Sequence, residues 1–485
     1  MTDAGREPGV LNFNAAELDR AATLTAELLR DYESSLAERP VFPHVDRDAL
    51  TALLEEPFPG EGRGIEWLFE CIRDTVVPNS TAVAHPRFLG YVLGPPNGIA
   101  PFADAIAATL NQNCNFWQLS PAASVIEKKV IAWFARLFGY PESAGGILTT
   151  GGSMGTQMAM TLALTAACAG FRDSGVQSLP APLAVYTSSE AHQSVEKAVV
   201  FAGLGRDSLR RIPVDSEFRM DVECLREAIR KDRARGFVPF CVVAACGTIV
   251  TGAIDPIAAI AKVCREENIW LHVDGAYGGF FVLSEDLKVP IQECSLADSL
   301  SIDPHKMLFA PLDAGCLLVR RAESLKDTFA FPASYLPAAE DALFTSFMDC
   351  GPQLSRSFRA FKIWCSLEVF GTEAFRHATD RTRSLARYLE QCLRADPAFE
   401  VLAPVTLNAV CFRLRALDEA GNQGVLDRLT AEGTALLGAA RVNGVMGLRV
   451  CVANYRTSRK DIDRVVSRLR ELASRSTSET ENHAG

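Results

Sequence analysis

Residues 15–36 set Leu18, Ala21, Leu24, Leu28 and Tyr32 at helical spacing among charged neighbours, which predicts an amphipathic helix. Pro40, Pro43, Pro57 and Pro59 then break the chain into short pieces, ahead of a second helical stretch near 63–77. Residues 1–84 therefore read as an N-terminal helical segment that packs on a partner subunit. Next come His85-Pro-Arg-Phe-Leu-Gly-Tyr91 and Gly94-Pro-Pro-Asn-Gly98, aromatic and rich in Gly and Pro, which suits a loop at a pocket edge. Helices are expected at 101–113 and 121–138. The break between them, Asn113 to Pro121, carries Phe116 and Trp117.

From residue 146 the period changes. Ile147-Leu-Thr, Leu183-Ala-Val-Tyr, Phe240-Cys-Val-Val-Ala-Ala, 269–273, 299–302 and 315–319 are apolar runs of strand length. Helical patterns follow several of them, after Gly151, after His192 and over 256–267. Such alternation predicts an α/β domain with a mostly parallel sheet. Ligands collect at the carboxyl ends of strands in such sheets. Residues 322–352 show no clear period and carry Phe329, Phe331, Tyr335, Phe344 and Phe347, which reads as a functional lid or a disordered linker. Helix resumes over 354–371. A smaller C-terminal α+β domain is expected over 372–473, with strands near 409–414 and 447–452 and helices at 373–392, 423–437 and 458–473. Residues 85–371 form the large domain, and the polar tail 474–485 reads as disordered.

Composition narrows the classes. A chain of 485 residues, 48% apolar, has material for more than one domain. A net charge of -10 without a dense Lys/Arg cluster argues against nucleic acid. No uninterrupted apolar run reaches membrane-spanning length. Fourteen cysteines without a CxxC pair read as buried small side chains in a reducing cytoplasm, and no metal site is expected.

The chemistry concentrates at strand ends. Gly151-Gly-Ser-Met-Gly-Thr156 precedes a helix, where free N–H groups and the helix dipole favour a phosphate. It fits neither the P-loop nor the dinucleotide pattern. His192 stands at a strand-to-helix turn, where an imidazole can stack on a flat ring and pass a proton. Asp274 ends the run Ile269-Trp-Leu-His-Val and precedes small residues that would let a ring lie flat. Lys306 follows the run at 299–302, next to His305. A lysine and a carboxylate delivered by two strand ends are what pyridoxal phosphate (PLP) needs: an amine for its aldehyde carbon and an anion for its pyridine nitrogen.

Ser189-Glu-Ala-His-Gln-Ser-Val-Glu-Lys-Ala198, Leu271-His-Val-Asp-Gly-Ala-Tyr-Gly-Gly279 and Ala297-Asp-Ser-Leu-Ser-Ile-Asp-Pro-His-Lys306 closely resemble the group II PLP-dependent amino-acid decarboxylases. That family includes aromatic-amino-acid, histidine, glutamate and diaminobutyrate decarboxylases. His85-Pro-Arg-Phe, Gln118-Leu-Ser-Pro-Ala and Leu354-Ser-Arg-Ser-Phe-Arg-Ala-Phe-Lys-Ile-Trp364 resemble further family signatures. The resemblance implies a fold-type I enzyme with a seven-stranded-type sheet, active as a homodimer with interface sites. It implies an amino-acid substrate converted to its amine and CO2. It makes Lys306 the Schiff-base lysine and Asp274 the partner of the pyridine nitrogen, with His192 over the ring and Ala276 on its other face. Gly152 and Ser153 would bind the phosphate with help from His305, and Thr248 would lie near the 3-hydroxyl. The family often has Asn where this chain has Asp303.

In much of the family a tyrosine on a mobile loop returns the proton. Anchored on Leu354-Ser-Arg356, its position falls on Phe347, and no tyrosine occurs between Tyr335 and Tyr388. Plant relatives with phenylalanine there form an aldehyde, so an aldehyde synthase is the alternative, alongside another fold-type I lyase or aminotransferase. Tyr91, Phe116, Trp117 and Phe347 are the expected substrate-lining residues and favour an aromatic or apolar side chain.

Overall fold

The computed structural model describes residues 11–179, 181–331 and 343–483. Seven strands form the main sheet: β1 (Gly145–Thr149), β2 (Leu183–Ser188), β3 (Leu209–Ile212), β4 (Val238–Ala245), β5 (Trp270–Asp274), β6 (Ser299–Ile302) and β7 (Gly315–Val319). Their order is β1-β7-β6-β5-β4-β2-β3. Neighbours from β6 to β3 pair in parallel, and β7 runs antiparallel to both β1 and β6. The connection from β6 to β7, residues 303–314, carries only the one-turn helix Pro304–Met307, too little for a parallel crossover. The sheet is therefore mostly parallel, as the alternating pattern predicted.

Helices cover both faces, which explains why β2, β6 and β7 are buried from end to end and β4 everywhere but at Val238. Gly152–Ala167 packs across the middle of the sheet. Its Gly155 lies so near β6 that a Cβ would meet Ser301 Oγ at 2.3 Å. A second sheet, β8 (Phe399–Val401), β9 (Ala409–Leu414), β10 (Gly438–Val442) and β11 (Val445–Cys451), is antiparallel in the order β10-β11-β9-β8. It has its own core, including Leu389, Phe412, Leu448 and Leu469. The helix Arg359–Arg394 runs from the main core to this one and breaks at Gly371 (φ 68, ψ 162).

Strands β3, β8 and β10 escaped the pattern reading. Each is an edge strand with an exposed side, so its sequence lacks the apolar run of a buried strand. The last helix, Arg459–His483, runs past the predicted end at 473 into the polar tail, where no proline or glycine interrupts it before Gly485. Within 322–352 the structure forms a helix at Glu323–Phe329 and a turn at Phe347–Cys350. Tyr335 lies outside the described residues.

The helix Ala15–Ser35 begins with a capping box between Asn14 and Glu17, yet none of its residues is buried. The same holds for Arg47–Glu55 and Gly64–Cys71. Leu18, Leu54, Phe58 and Leu68 are exposed, as are Phe102, Ile106 and Leu110 on the helix Ala100–Leu110. Among the described residues, no helix is long and apolar enough to cross a membrane.

Candidate active site

The carboxyl ends of β4, β5 and β6 and the turn after β1 converge on a cavity of about 320 Å³. Gly151, Gly152, Ser153, His192, Thr248, Asp274, Ala276, His305 and Lys306 all line it. These residues lie far apart in the chain, and the sheet brings them together.

The glycine turn is a fitted cradle. A Cβ on Gly152 would meet that of Ala276 at 2.7 Å, and one on Gly151 would meet His305 Cε1 at 3.2 Å. The first amides of Gly152–Ala167 lack intrahelical partners and open onto this turn, with Ser153 exposed beside them. An anionic group of phosphate size suits that arrangement.

Asp274 ends β5 and accepts from the backbone N–H of Ala276 at 3.1 Å. This contact turns the small residue beneath the carboxylate. His272, behind it, is fully enclosed: Trp270 Nε1 donates to Ser299 Oγ at 3.0 Å, and Ser299 Oγ lies 2.9 Å from His272 Nδ1. With its own hydrogen left for His272, Ser299 makes Nδ1 the acceptor and leaves Nε2–H for Ser301 Oγ at 3.3 Å. Burial pushes His272 down to about 4.

His192 caps the helix Gln193–Phe201, its Nδ1 accepting from Ser194 N at 3.2 Å. Nε2 therefore carries the ring proton. Burial, the largest influence, lowers its pKa, while the charge of Asp274 works the other way. A neutral ring suits stacking on a flat cofactor.

Lys306 Nζ lies 3.1 Å from Asp303 Oδ2, and His305 Nε2 lies 3.4 Å from the same oxygen. His305 Nδ1 accepts from Ala314 N at 3.2 Å. Burial lowers the pKa of His305, so Nε2–H points at Asp303. Both ring nitrogens thus have neighbours within the protein, and His305 lines the cavity beside the glycine turn. Asp303 Oδ1 is buried without a partner among the described residues. Thr248 is partly turned inward: its Oγ1 lies 2.9 Å from Thr251 Oγ1 and accepts from Ala253 N at 3.1 Å.

The expected substrate residues fare differently. Tyr91 is exposed and stacks on Phe88 at 6.0 Å. Trp117 stacks on Phe344 at 4.4 Å, next to the half-buried Phe116. None of the three lines the cavity of this chain. Phe347 is 2% exposed and packs in its own chain's core beneath Arg356. It is not among the residues that line the cavity.

Arg449 was missed. On β11, its guanidinium is buried, and only Nη1 finds a partner, Gly90 O at 3.2 Å. Nε and Nη2 have none among the described residues. Its charge reaches both Tyr277, in the cavity wall, and Cys451, which Lys306 also reaches. The available signal was a lone arginine inside the apolar run Leu448 to Val452.

The model of the pyridoxal-dependent decarboxylase conserved domain matches residues 48–415. An aromatic-L-amino-acid decarboxylase of Bacillus atrophaeus is 34% identical over 472 residues, 96% of this chain and 97% of that protein. A 4-hydroxyphenylacetaldehyde synthase of Rhodiola rosea is 27% identical over 474 residues, 95% of this chain and 96% of that one. The crystal structure of Oryza sativa TDC with PLP and tryptamine superposes with a TM-score of 0.90 at 26% identity, over 96% of this chain and 99% of that chain.

Proposed function

The chain belongs to the pyridoxal-dependent decarboxylase family and is a fold-type I, PLP-dependent amino-acid carboxy-lyase, and from that premise we propose that it converts an aromatic or apolar L-amino acid to its amine and CO2. The observation that carries this is the meeting of Lys306, Asp274, His192 and the Gly151–Ser153 turn around one cavity. The aromatic preference is supported by the names of the relatives.

Bound PLP supplies an aldehyde for the substrate amine and a pyridinium ring that draws the electrons left when CO2 departs. The chain's own groups divide the remaining work. Lys306 would hold the aldehyde carbon of the cofactor, and Asp274 would keep a proton on its ring nitrogen by charge. His192, neutral, would cover one ring face, with Ala276 against the other. Gly152 and Ser153 would offer the phosphate their free amides, and Thr248 would lie near the 3-hydroxyl. Arg449 has two unused donors in a buried setting and would receive the substrate carboxylate, orienting the bond that breaks.

Amine is favoured over aldehyde because Phe347, buried in the core, is not a replacement for a loop tyrosine. The tyrosine that the family resemblance calls for is then left to Tyr335. The functional unit is proposed to be a homodimer. The exposed apolar faces of the first three helices, with Phe102 and Ile106, form a surface that a second copy would cover. Fourteen free cysteines suit a reducing compartment such as the cytoplasm.

A panel of amino acids assayed together for CO2, amine, aldehyde and peroxide tests the assignment. Amine and CO2 in equal amounts are expected, and equal aldehyde and peroxide would overturn the product. Visible cofactor absorbance should vanish in Lys306→Ala. A wild-type protein that never takes up PLP would sink the proposal.

A further inference from the structure

The second sheet touches the active site at Leu407 and Asn408, which stand just ahead of β9 and are fully buried. The hydroxyl of Tyr277, in the cavity wall just past Asp274, donates to Asn408 Oδ1. Asn408 Nδ2 donates to Val452 O at 2.9 Å and lies 3.4 Å from Thr382 Oγ1 on the helix Arg359–Arg394. It is also 3.7 Å from the sulfur of Met307, the residue after Lys306. The backbone takes part as well, since Asn408 O accepts from Val452 N at 2.9 Å. Asn408 thereby grips both backbone groups of Val452, at the end of the strand that carries Arg449. Leu407 packs against the turn of Thr248: a Cβ on Gly247 would meet its Cδ1 at 3.0 Å, and one on Gly252 its Cβ at 3.3 Å. One dipeptide of the second sheet thus reaches the turns of Thr248, Asp274 and Lys306 together.

A fully buried amide must find partners for its donors and its acceptor inside the protein. Val452 O fixes which end is which, because a carbonyl can only accept, and Oδ1 is left to face Tyr277. The tyrosine is then the donor. Burial raises its pKa well above the ordinary value, so it keeps its proton, and the charge of Arg449 reaches it from β11. Hydrogen bonds are short-ranged and directional, so a shift of β11 against the cavity would break them. We propose that Asn408 is a positioning residue for substrate: by tying β11 to Tyr277 and to the Lys306 turn, it holds the Arg449 guanidinium where the substrate carboxylate arrives. It touches neither cofactor nor substrate. This rests on the assignment of the site to PLP and of Arg449 to the carboxylate.

The test uses phenylalanine and phenethylamine, which differ by the carboxylate alone. Stopped-flow cofactor absorbance reads the binding of each to the full-length, cofactor-loaded enzyme before turnover. Asn408→Leu keeps the branching and removes the amide. It should lose about tenfold in phenylalanine affinity and no more than about twofold for phenethylamine. Tyr277→Phe should show the same split, and it serves where Asn408→Leu does not fold. Arg449→Met is the reference and should show a larger split. Damage to the site at large would weaken both ligands alike. Urea unfolding of the cofactor-free chain tests the tie itself. The midpoint of the double variant Tyr277→Phe, Asn408→Leu should be no lower than that of Asn408→Leu alone, because the second change removes a hydroxyl already without its partner. Equal losses for the two ligands, unchanged phenylalanine affinity in both single variants, or additive urea shifts would each overturn the proposal. A wild type that binds neither ligand counts against the substrate class, and an Arg449→Met that binds phenylalanine normally counts against the carboxylate role. In either case the urea result still decides whether Asn408 ties β11 to the cavity.

Discussion

Arg356 lies over the ring of Phe347, its guanidinium 5.1 Å from the ring centroid, and the same guanidinium is paired with buried Glu127. Phe347 is 2% exposed, so a hydroxyl added to that ring would be taken out of water. Phe347→Tyr is therefore expected to keep amine as product and to lose about 1–3 kcal/mol of stability from an ill-partnered buried hydroxyl. Product ratio and denaturant unfolding check the two halves. A rise or fall in aldehyde would return Phe347 to the active site.

The pair itself ties distant segments together. Arg356 also donates to Cys114 O at 2.7 Å and Leu148 O at 3.0 Å, while Glu127 accepts from Leu148 N at 3.0 Å. Arg356→Met leaves a buried, unpaired Glu127 and should cost about 3–5 kcal/mol. Adding Glu127→Gln should return part of that loss. A double variant no more stable than the single one would refute the coupling.

Arg449→Met keeps bulk and removes the buried guanidinium. If Arg449 receives the substrate carboxylate, KM should rise by about a hundredfold, a change of about 3 kcal/mol. Cofactor absorbance should stay normal. An unchanged KM in a folded, coloured variant would exclude that role.

His272 makes the core acid-sensitive. Its folded pKa of about 4 lies below the ordinary 6.5, so the neutral ring's contribution is complete above 6.5 and is lost as pH falls toward 4. The loss reaches about 3 kcal/mol at one proton per histidine. His85 shares the direction, driven by burial. Urea midpoints measured from neutral to acid pH should fall, and His272→Asn should flatten the lower part of that curve.

Leu18→Glu places a charge on the exposed apolar face of the helix Ala15–Ser35. Light scattering is expected to show the mass of two chains for wild type and of one for the variant, with activity lost alongside. A variant of unchanged mass would move the subunit contact elsewhere.

The central strands and the chemistry at their ends were legible in the chain alone. A strand buried on both faces is apolar along most of its length, as β4 is, so it announces itself. The groups that follow it, Asp274 and His305-Lys306, are local to its end. The edge strands were not legible, because Leu209-Arg-Arg-Ile212 answers to solvent on one side and needs no apolar run. What only the tertiary structure decided depends on contacts between residues remote in sequence. Phe347 is a core residue that Arg356 closes over. Among the described residues Arg449 finds only Gly90 O. Lys306 was legible as the candidate reactive amine, but its sharing of Asp303 with His305, against a glycine turn about 150 residues upstream, follows from the pairing of β6 with β7 and of β7 with β1. Local composition sets which residues can be buried, whereas the partner each finds there is set by long-range strand pairing that no single stretch of sequence contains.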